Sequence, residues 1–408
     1  MRKTLPNKLH QTNIAFNILL SILLFTILFS SVSFSAEIIT DAEIEFSQRI
    51  ESGIEYLYNL DRNKAKEQFR RAIELKPLRP EGYFYTSMIY WNKIYFESDM
   101  DALSDFEEWI DKTIEKAEES TSKSTDNREK ASALLYLGGA YGYKGAISII
   151  KRKWFSGFVN AYKGRKYLNN AYNLNPDEKD IYLGLGMYDY FLDKLPKTIK
   201  ILTYLISFSG DRKGGLEKLK ECAEKGRYAK TEALIALANI YIYLEKDYKS
   251  ALPVISKLKM KYPNNPQFHY LYAIVNARLE KWSEAVKTAD FMFNEGKKNN
   301  KHFKGIWETK TKFLRGEICW IKKDFSKALE FYNSILASER AKNIWVFPMA
   351  EMRIGMINDF LNHREEAKKR YLAVLSYKEY SKDYAYLYDY AKKYLKKPCR
   401  IDDPERMD

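Results

Sequence analysis

The sequence predicts an all-α protein, a solenoid of about eight stacked helix hairpins with a C-terminal capping helix. Three observations carry this. Apolar residues recur at spacings of three and four rather than two, the period of a helix face. Helix breakers are scarce, with 18 Gly and 11 Pro among 408 residues, whereas Tyr and Phe number 32 and 22. A fixed order of large and small residues also returns along the chain, most clearly between Ala131 and Pro176. There Leu134, Leu137, Gly138 and Tyr141 put one helix face in order. Gly164, Leu168 and Ala171 follow on a second helix, which Pro176 stops.

The first segment is not part of the array. Residues 1–13 are polar and basic, and no charged residue occurs from Ile14 to Ala36. The densest apolar part, Ile18 to Phe29, has the length of a signal-peptide core, and Ser33, Ser35 and Ala36 supply small residues for cleavage. The whole run is also long enough to span a bilayer, which takes roughly 20 residues. Residues 1–36 therefore read as a signal peptide or, alternatively, an uncleaved anchor. Either way the expected location is exported, in the periplasm or cell envelope.

The array begins with Gly53, Tyr56, Ala65, Phe69, Ala72 and Pro77. A second unit starts at Pro80, with Tyr83 and Tyr90 on its first helix and an acidic second helix near Asp101–Glu119. The low-complexity stretch from Glu119 to Asp126 reads as an exposed loop. After the unit at 131–176, Tyr182, Leu185 and Gly186 start a fourth, completed by Gly215, Leu219 and Cys222. Leu234, Leu237, Ala238 and Tyr241 open a fifth, which ends with Ala251, Ile255, Leu258 and Pro263. Tyr272, Ala273, Ala285 and Ala289 mark a sixth. Gly316, Ala328 and Tyr332 belong to a seventh, and Gly355, Ala367 and Tyr371 to an eighth. Residues from about Ser381 to Lys396 form the capping helix. The segments are 37–130, 131–226, 227–377 and 378–408.

These residues carry a specific resemblance. A large residue, Leu-Gly and Tyr on helix A, then Ala, Phe or Tyr, Ala and Pro on helix B, is similar to the tetratricopeptide repeat. The resemblance implies a right-handed α-solenoid in which each hairpin buries too little alone and is stabilised by stacking. By resemblance to exported members, it also implies a non-enzymatic scaffold for a protein or peptide partner, in envelope or secretion-machinery assembly. If the repeat register holds, helix A residues line a concave groove: Leu183, Met187, Ile235, Asn239, Tyr270, Phe313, Glu317, Trp320, Met352 and Met356; the alternative is that some of them simply pack against neighbouring helix A residues. Aromatic and Met side chains suit adaptable contact with a peptide. Chaperone-binding members clamp a terminal carboxylate with Lys and Asn on this face; only Asn239 fits here, which speaks against that specificity.

Two units depart from the pattern. Helices A and B are joined by a long surplus between Tyr141 and Gly164, and again between Asp189 and Gly215. Lys151, Arg152, Lys153, Trp154 and Phe155 in the first surplus combine cationic heads with aromatic bodies, which suits an anionic membrane surface or an acidic partner. The alternative is a pair of longer helices with Ile147, Ile150 and Phe158 buried between them and the Lys and Arg solvated. A membrane-peripheral lipid-binding or transport accessory is the second functional reading. Gly210-Asp-Arg-Lys-Gly-Gly215 lacks a Gly-Lys-Ser/Thr ending and follows no strand, so it reads as a helix-breaking turn rather than a phosphate loop.

The formal charge is +14, and three of the positive charges, Arg2, Lys3 and Lys8, lie in the leader, leaving +11. Such an excess favours acidic partners in general. Yet 68 basic residues are interspersed with 54 acidic ones, as on solvated helix faces, and no nucleic-acid partner is expected. Cys222, Cys319 and Cys399 are far apart and odd in number, giving no metal spacing or obvious disulfide. Cys222 sits where the repeat wants a small buried residue. His269, His302 and His363 fall in different units, with no nucleophile or ligand at useful spacing; His269 replaces a packing residue. No catalytic residue, metal or cofactor is expected.

Overall fold

A computed structural model describes residues 41–97, 99–194, 210–338, 345–377, 385–403 and 407. Residues 1–36, expected to be a signal peptide or an anchor, and most of the second surplus lie outside the described residues. By contact the chain divides after Ile44: residues 41–44 are the described part of the first unit, and 45–408 form the second.

Every described regular element is helical, and the helices pair into eight hairpins. They are α1 (Asp41–Tyr58) with α2 (Arg62–Leu75), α3 (Glu81–Glu97) with α4 (Leu103–Lys123), and α5 (Asn127–Ile150) with α6 (Trp154–Leu174). Next come α7 (Ile181–Lys194) with α8 (Arg212–Lys225), and α9 (Lys230–Asn239) with α10 (Tyr248–Lys261). The last three are α11 (Pro266–Arg278) with α12 (Trp282–Lys297), α13 (Ile306–Ile321) with α14 (Phe325–Leu336), and α15 (Val346–Phe360) with α16 (Arg364–Ser376). Helix α17 (Ala385–Lys396) packs on α16 and α15 as a cap. The α-solenoid expected from the sequence is the architecture found. No described helix is long and apolar enough to cross a membrane.

The repeat residues do the packing their spacing implied. A Cβ at Gly316 would lie 2.5 Å from the Tyr332 ring, and one at Gly186 would lie 2.8 Å from the Gly215 carbonyl. At these positions only a glycine lets helices A and B approach so closely. Ala65, Ala251, Ala285, Ala328 and Ala367 fill the first small position of helix B, and Ala72, Ala171 and Cys222 fill the second, seven residues on; all eight are fully buried. Asp211 caps α8 by accepting from the Gly214 amide at 2.9 Å, so the Gly210–Gly215 stretch is the expected break before a helix.

Six of the eight hairpins turn in the same way. Leu60, Arg152, Lys246, Glu280, Lys323 and Asn362 each adopt a positive φ just beyond the first helix. In each of them the next amide closes back on the helix: Asp61 to the Tyr56 carbonyl, Lys153 to Ser148, Asp247 to Tyr241, Lys281 to Asn276, Asp324 to Cys319, and His363 to Asn358. These bonds satisfy carbonyls that the helix end leaves open. The third hairpin uses this same short turn. Its surplus is therefore helix, not loop.

One expected loop is also helix. α4 continues through Lys123, and only residues 124–126 connect it to α5. Thr121 and Ser122 hydroxyls bond back to the Ala117 and Glu119 carbonyls at 2.7 and 2.8 Å, which lets a Ser/Thr-rich segment stay helical. Asp126 then caps α5, accepting from the Arg128 and Glu129 amides.

Candidate functional site

The first helices of successive hairpins lie beside one another, with α11, α13 and α15 in direct contact. Their shared face is the inner surface of the array. It is the face on which the sequence placed a binding groove, and the structure fills it from both ends of the chain.

From the N-terminal side, α1 and α3 reach across to the fifth, sixth and seventh hairpins. The Tyr58 and Tyr262 rings meet at 5.6 Å, Tyr85 and Tyr228 at 6.4 Å, and Phe96 and Phe268 edge to face at 5.8 Å. Polar bonds lock the same seam. The Asn265 amide donates to the Tyr58 carbonyl at 3.1 Å, and Lys310 donates to the Phe96 carbonyl at 3.0 Å. At the rim, Glu51 pairs with Arg227 and Glu55 with Lys261. Asn239, expected in the groove, instead donates to the Tyr95 hydroxyl at 2.7 Å. Leu183, Met187 and Ile235 are half-buried against the same core, and Tyr270 is buried beside Trp307.

The C-terminal end closes similarly. Arg353 forks onto Glu317 with both contacts at 2.9 Å, and the Tyr332 hydroxyl donates to the same carboxylate at 2.6 Å. The guanidinium lies 4.4 Å over the Trp320 ring. Its remaining nitrogen donates to the Met407 carbonyl at 3.0 Å, and the Met407 amide donates to the Tyr394 hydroxyl, also at 3.0 Å. Upstream in the tail, the Cys399 amide donates to Asp359, a carboxylate already held by Arg364 and the Tyr371 hydroxyl. Phe313, Glu317, Trp320, Met352 and Met356 are thus buried core, not an open groove. The expectation of a free groove at these residues is corrected. The helix register was right, but the tail and neighbouring helix A side chains occupy the space in front of them.

Within the N-terminal seam sits a carboxyl that the sequence reading passed over. Both oxygens of Glu232 are removed from water. That burial pushes its carboxyl up from 4.5 to about 7; the Asp180 charge adds to the rise, while Tyr58 and Lys261 oppose it. Asp180 itself accepts from the Arg227, Tyr228 and Ala229 amides at 2.7 to 3.2 Å and so caps the entry to α9. A carboxyl with a raised folded value favours folding in full at pH below about 4.5. That contribution is lost as pH rises to about 7. Glu232→Gln, which cannot ionise, is therefore expected to stabilise the chain by roughly 3 kcal/mol at pH 8, read as a higher melting temperature, and to do little at pH 4.5. Thermal unfolding at the two pH values checks this. An equal change at both would show that Glu232 does not titrate in the folded chain.

The basic-aromatic cluster lies at the turn of the third hairpin and is the one predicted site left open. Lys151, Arg152, Lys153, Trp154 and Phe155 are all exposed. Of the residues expected between the two helices, Ile147 is buried, but Ile150 and Phe158 are not. Glu107 on α4 pairs with Lys151 at 2.6 Å. His269 is a buried packing residue as expected: its ring stacks on Phe291, and burial pulls it down to about 4. Among the described residues no group of His, Cys, Asp and Glu could hold a metal ion, and the three cysteines are unpaired with one another.

Sequence could have flagged Glu232 and Arg353 only as charges at helix A positions that the repeat fills with apolar residues. Their partners are brought in by other segments: Tyr58, Asp180 and Lys261 around Glu232, and Glu317 and the Met407 carbonyl around Arg353.

No curated protein matches this chain. Among solved structures, similarity is found to an IFIT1 monomeric mutant with Gppp-AAAA, at 12% identity over 88% of each chain and a TM-score of 0.42. A tetratricopeptide repeat protein from Parabacteroides merdae is 13% identical over 76% of this chain and 99% of its own, with a TM-score of 0.30. The P58(IPK) TPR domain is 13% identical over 81% and 98%, with a TM-score of 0.23. The family model for Iml2/Tetratricopeptide repeat protein 39 matches residues 178–382, just over half of the chain. The matched stretch runs from the start of the fourth hairpin through the eighth, the part of the solenoid whose helix A and helix B residues have just been placed, and by it the chain belongs to the Iml2/Tetratricopeptide repeat protein 39 family.

Proposed function

We propose that this chain is an exported, non-enzymatic scaffold that binds a protein segment in the assembly of envelope or secretion machinery. The observation that supports the binding role best is what lies on the inner face at the C-terminal end. There the eighth hairpin and the cap α17 hold two points of the chain's own tail. They grip it by main-chain groups: Arg353 on the Met407 carbonyl, Tyr394 on the Met407 amide, and Asp359 on the Cys399 amide. Main-chain contacts give affinity for any extended segment, and a pocket for the Met side chain adds selectivity. The Met407 side chain is buried with Met352 and Met356 in one apolar cluster. Export rests on the uncharged run from Ile14 to Ala36 beside a basic N-terminus.

The experiment offers the tail in trans. A fluorescent peptide of residues 397–408 is expected to bind saturably to a chain ending at residue 396, and at least tenfold more weakly to the intact chain, where the tethered tail competes at high effective concentration. If deletion disturbs folding, Met407→Asp in the intact chain serves instead, since a carboxylate in the Met pocket should release the tail. No peptide binding by either variant, with helical circular dichroism retained, would remove the inner face as a peptide site.

A further inference from the structure

We infer that the tip of the third hairpin docks on an anionic membrane surface, inserting Trp154 and Phe155 at the interface. The tip is a projection, not a groove. Beyond the glycine where helices A and B cross, α5 continues from Gly138 to Ile150, whereas α13 and α15 end five residues after Gly316 and Gly355. Seven more residues at 1.5 Å each carry the tip about 10 Å farther than those hairpins reach.

The projection is rigidly built. A Cβ at Gly145 would lie 3.2 Å from the Gly157 carbonyl and from the Ala161 amide nitrogen, so the two helices touch backbone to backbone out to the end. The turn is the short one shared with five other hairpins, which fixes the direction of both helix ends. A tip held this way presents its side chains in one arrangement.

Those side chains are apolar where solvent would favour polar ones. Phe155 is 80% exposed, Trp154 66%, Ile150 46% and Ile149 45%, with Phe158 beside them on the next turn. Between the two pairs stand Lys151, Arg152 and Lys153. Lys151 pairs with Glu107 and Lys144 with Asp111, both on α4, so part of this charge is already met below the tip. Lys153 lies at the turn itself. Contiguous exposed apolar surface marks an interaction site. A convex apolar tip suits a planar apolar layer better than an extended peptide, which needs a cleft. Aromatic rings with adjacent cations match the boundary of an acidic bilayer, where rings sit at headgroup depth and Lys and Arg meet phosphates.

The test places a fluorophore at the tip of the full chain. Ser156→Cys, exposed between Phe155 and Gly157, is labelled with an environment-sensitive dye in a Cys319→Ser background, since Cys222 and Cys399 are buried. Leu372→Cys, at an exposed position on α16, reports a site away from the tip. With vesicles of phosphatidylcholine and phosphatidylglycerol at low salt, the label at 156 is expected to shift to the blue and be quenched by brominated lipid. The label at 372 is expected to stay water-like even if the N-terminal segment holds the chain on the vesicles. Trp154→Ser with Phe155→Ser should weaken the response at 156 at least tenfold, and raising the salt to about 0.5 M should weaken it further. A label at 156 that stays water-like on anionic vesicles overturns the inference. A blue shift that grows with protein concentration without lipid, and is lost in the same double variant, overturns it in favour of a second copy of this chain.

Discussion

Arg353→Ala is expected to destabilise the chain by about 3–5 kcal/mol, because it leaves a carboxylate buried without its partner. Arg353 holds both oxygens of Glu317 at 2.9 Å and is itself almost out of contact with water. Removing it strands Glu317, whose only remaining described donor is the Tyr332 hydroxyl. It also frees the Met407 carbonyl and uncovers the Trp320 ring. Arg353→Met with Glu317→Leu removes both charges and should recover most of the loss, since two apolar side chains carry no desolvation cost. Denaturant unfolding with both variants measures the difference. A single variant less than about 1 kcal/mol weaker than wild type would mean that water reaches Glu317 and the pair is not buried in solution.

This pair also shows where the sequence stopped being readable. Gly316, Ala328 and Tyr332 have spacings set within one hairpin, so local pattern sufficed to place them. Glu317 follows Gly316 on the same helix, and its position on the inner face could be read. That the face would be covered could not, because its cover is the Met407 tail and Arg353 from the next hairpin. The same holds for Asn239, whose partner Tyr95 is 144 residues away. The third hairpin was harder for another reason. A surplus between two helix signatures has the same length whether it is looped or helical, and the positive φ that ends α5 is carried by Arg152, a residue that gives no turn signal. Exposure of Trp154 and Phe155 followed only once the turn was confined to residues 151–153.

The seam closed by Phe96 makes a second large effect predictable. Phe96→Ala is expected to cost about 3–5 kcal/mol, the range for emptying a buried aromatic site that cannot collapse. The ring is enclosed by Phe268 across the seam and Tyr95 beside it, and Lys310 binds the carbonyl of the same residue. Helices α3, α11 and α13 are each held by their own hairpin partners, so they cannot easily move together to fill the void. Because the substitution weakens contacts between hairpins far apart in sequence, its mark should appear on both sides. Amide hydrogen exchange is expected to rise in α3 and in α11, where Phe268 loses a ring partner, and also in α9 and α13, whose bonds to Tyr95 and to the residue 96 carbonyl lie beside the void, while α15 and α16 stay protected. Faster exchange in α3 alone would show that the N-terminal hairpins do not brace the inner face, and that the groove they cover is open in solution.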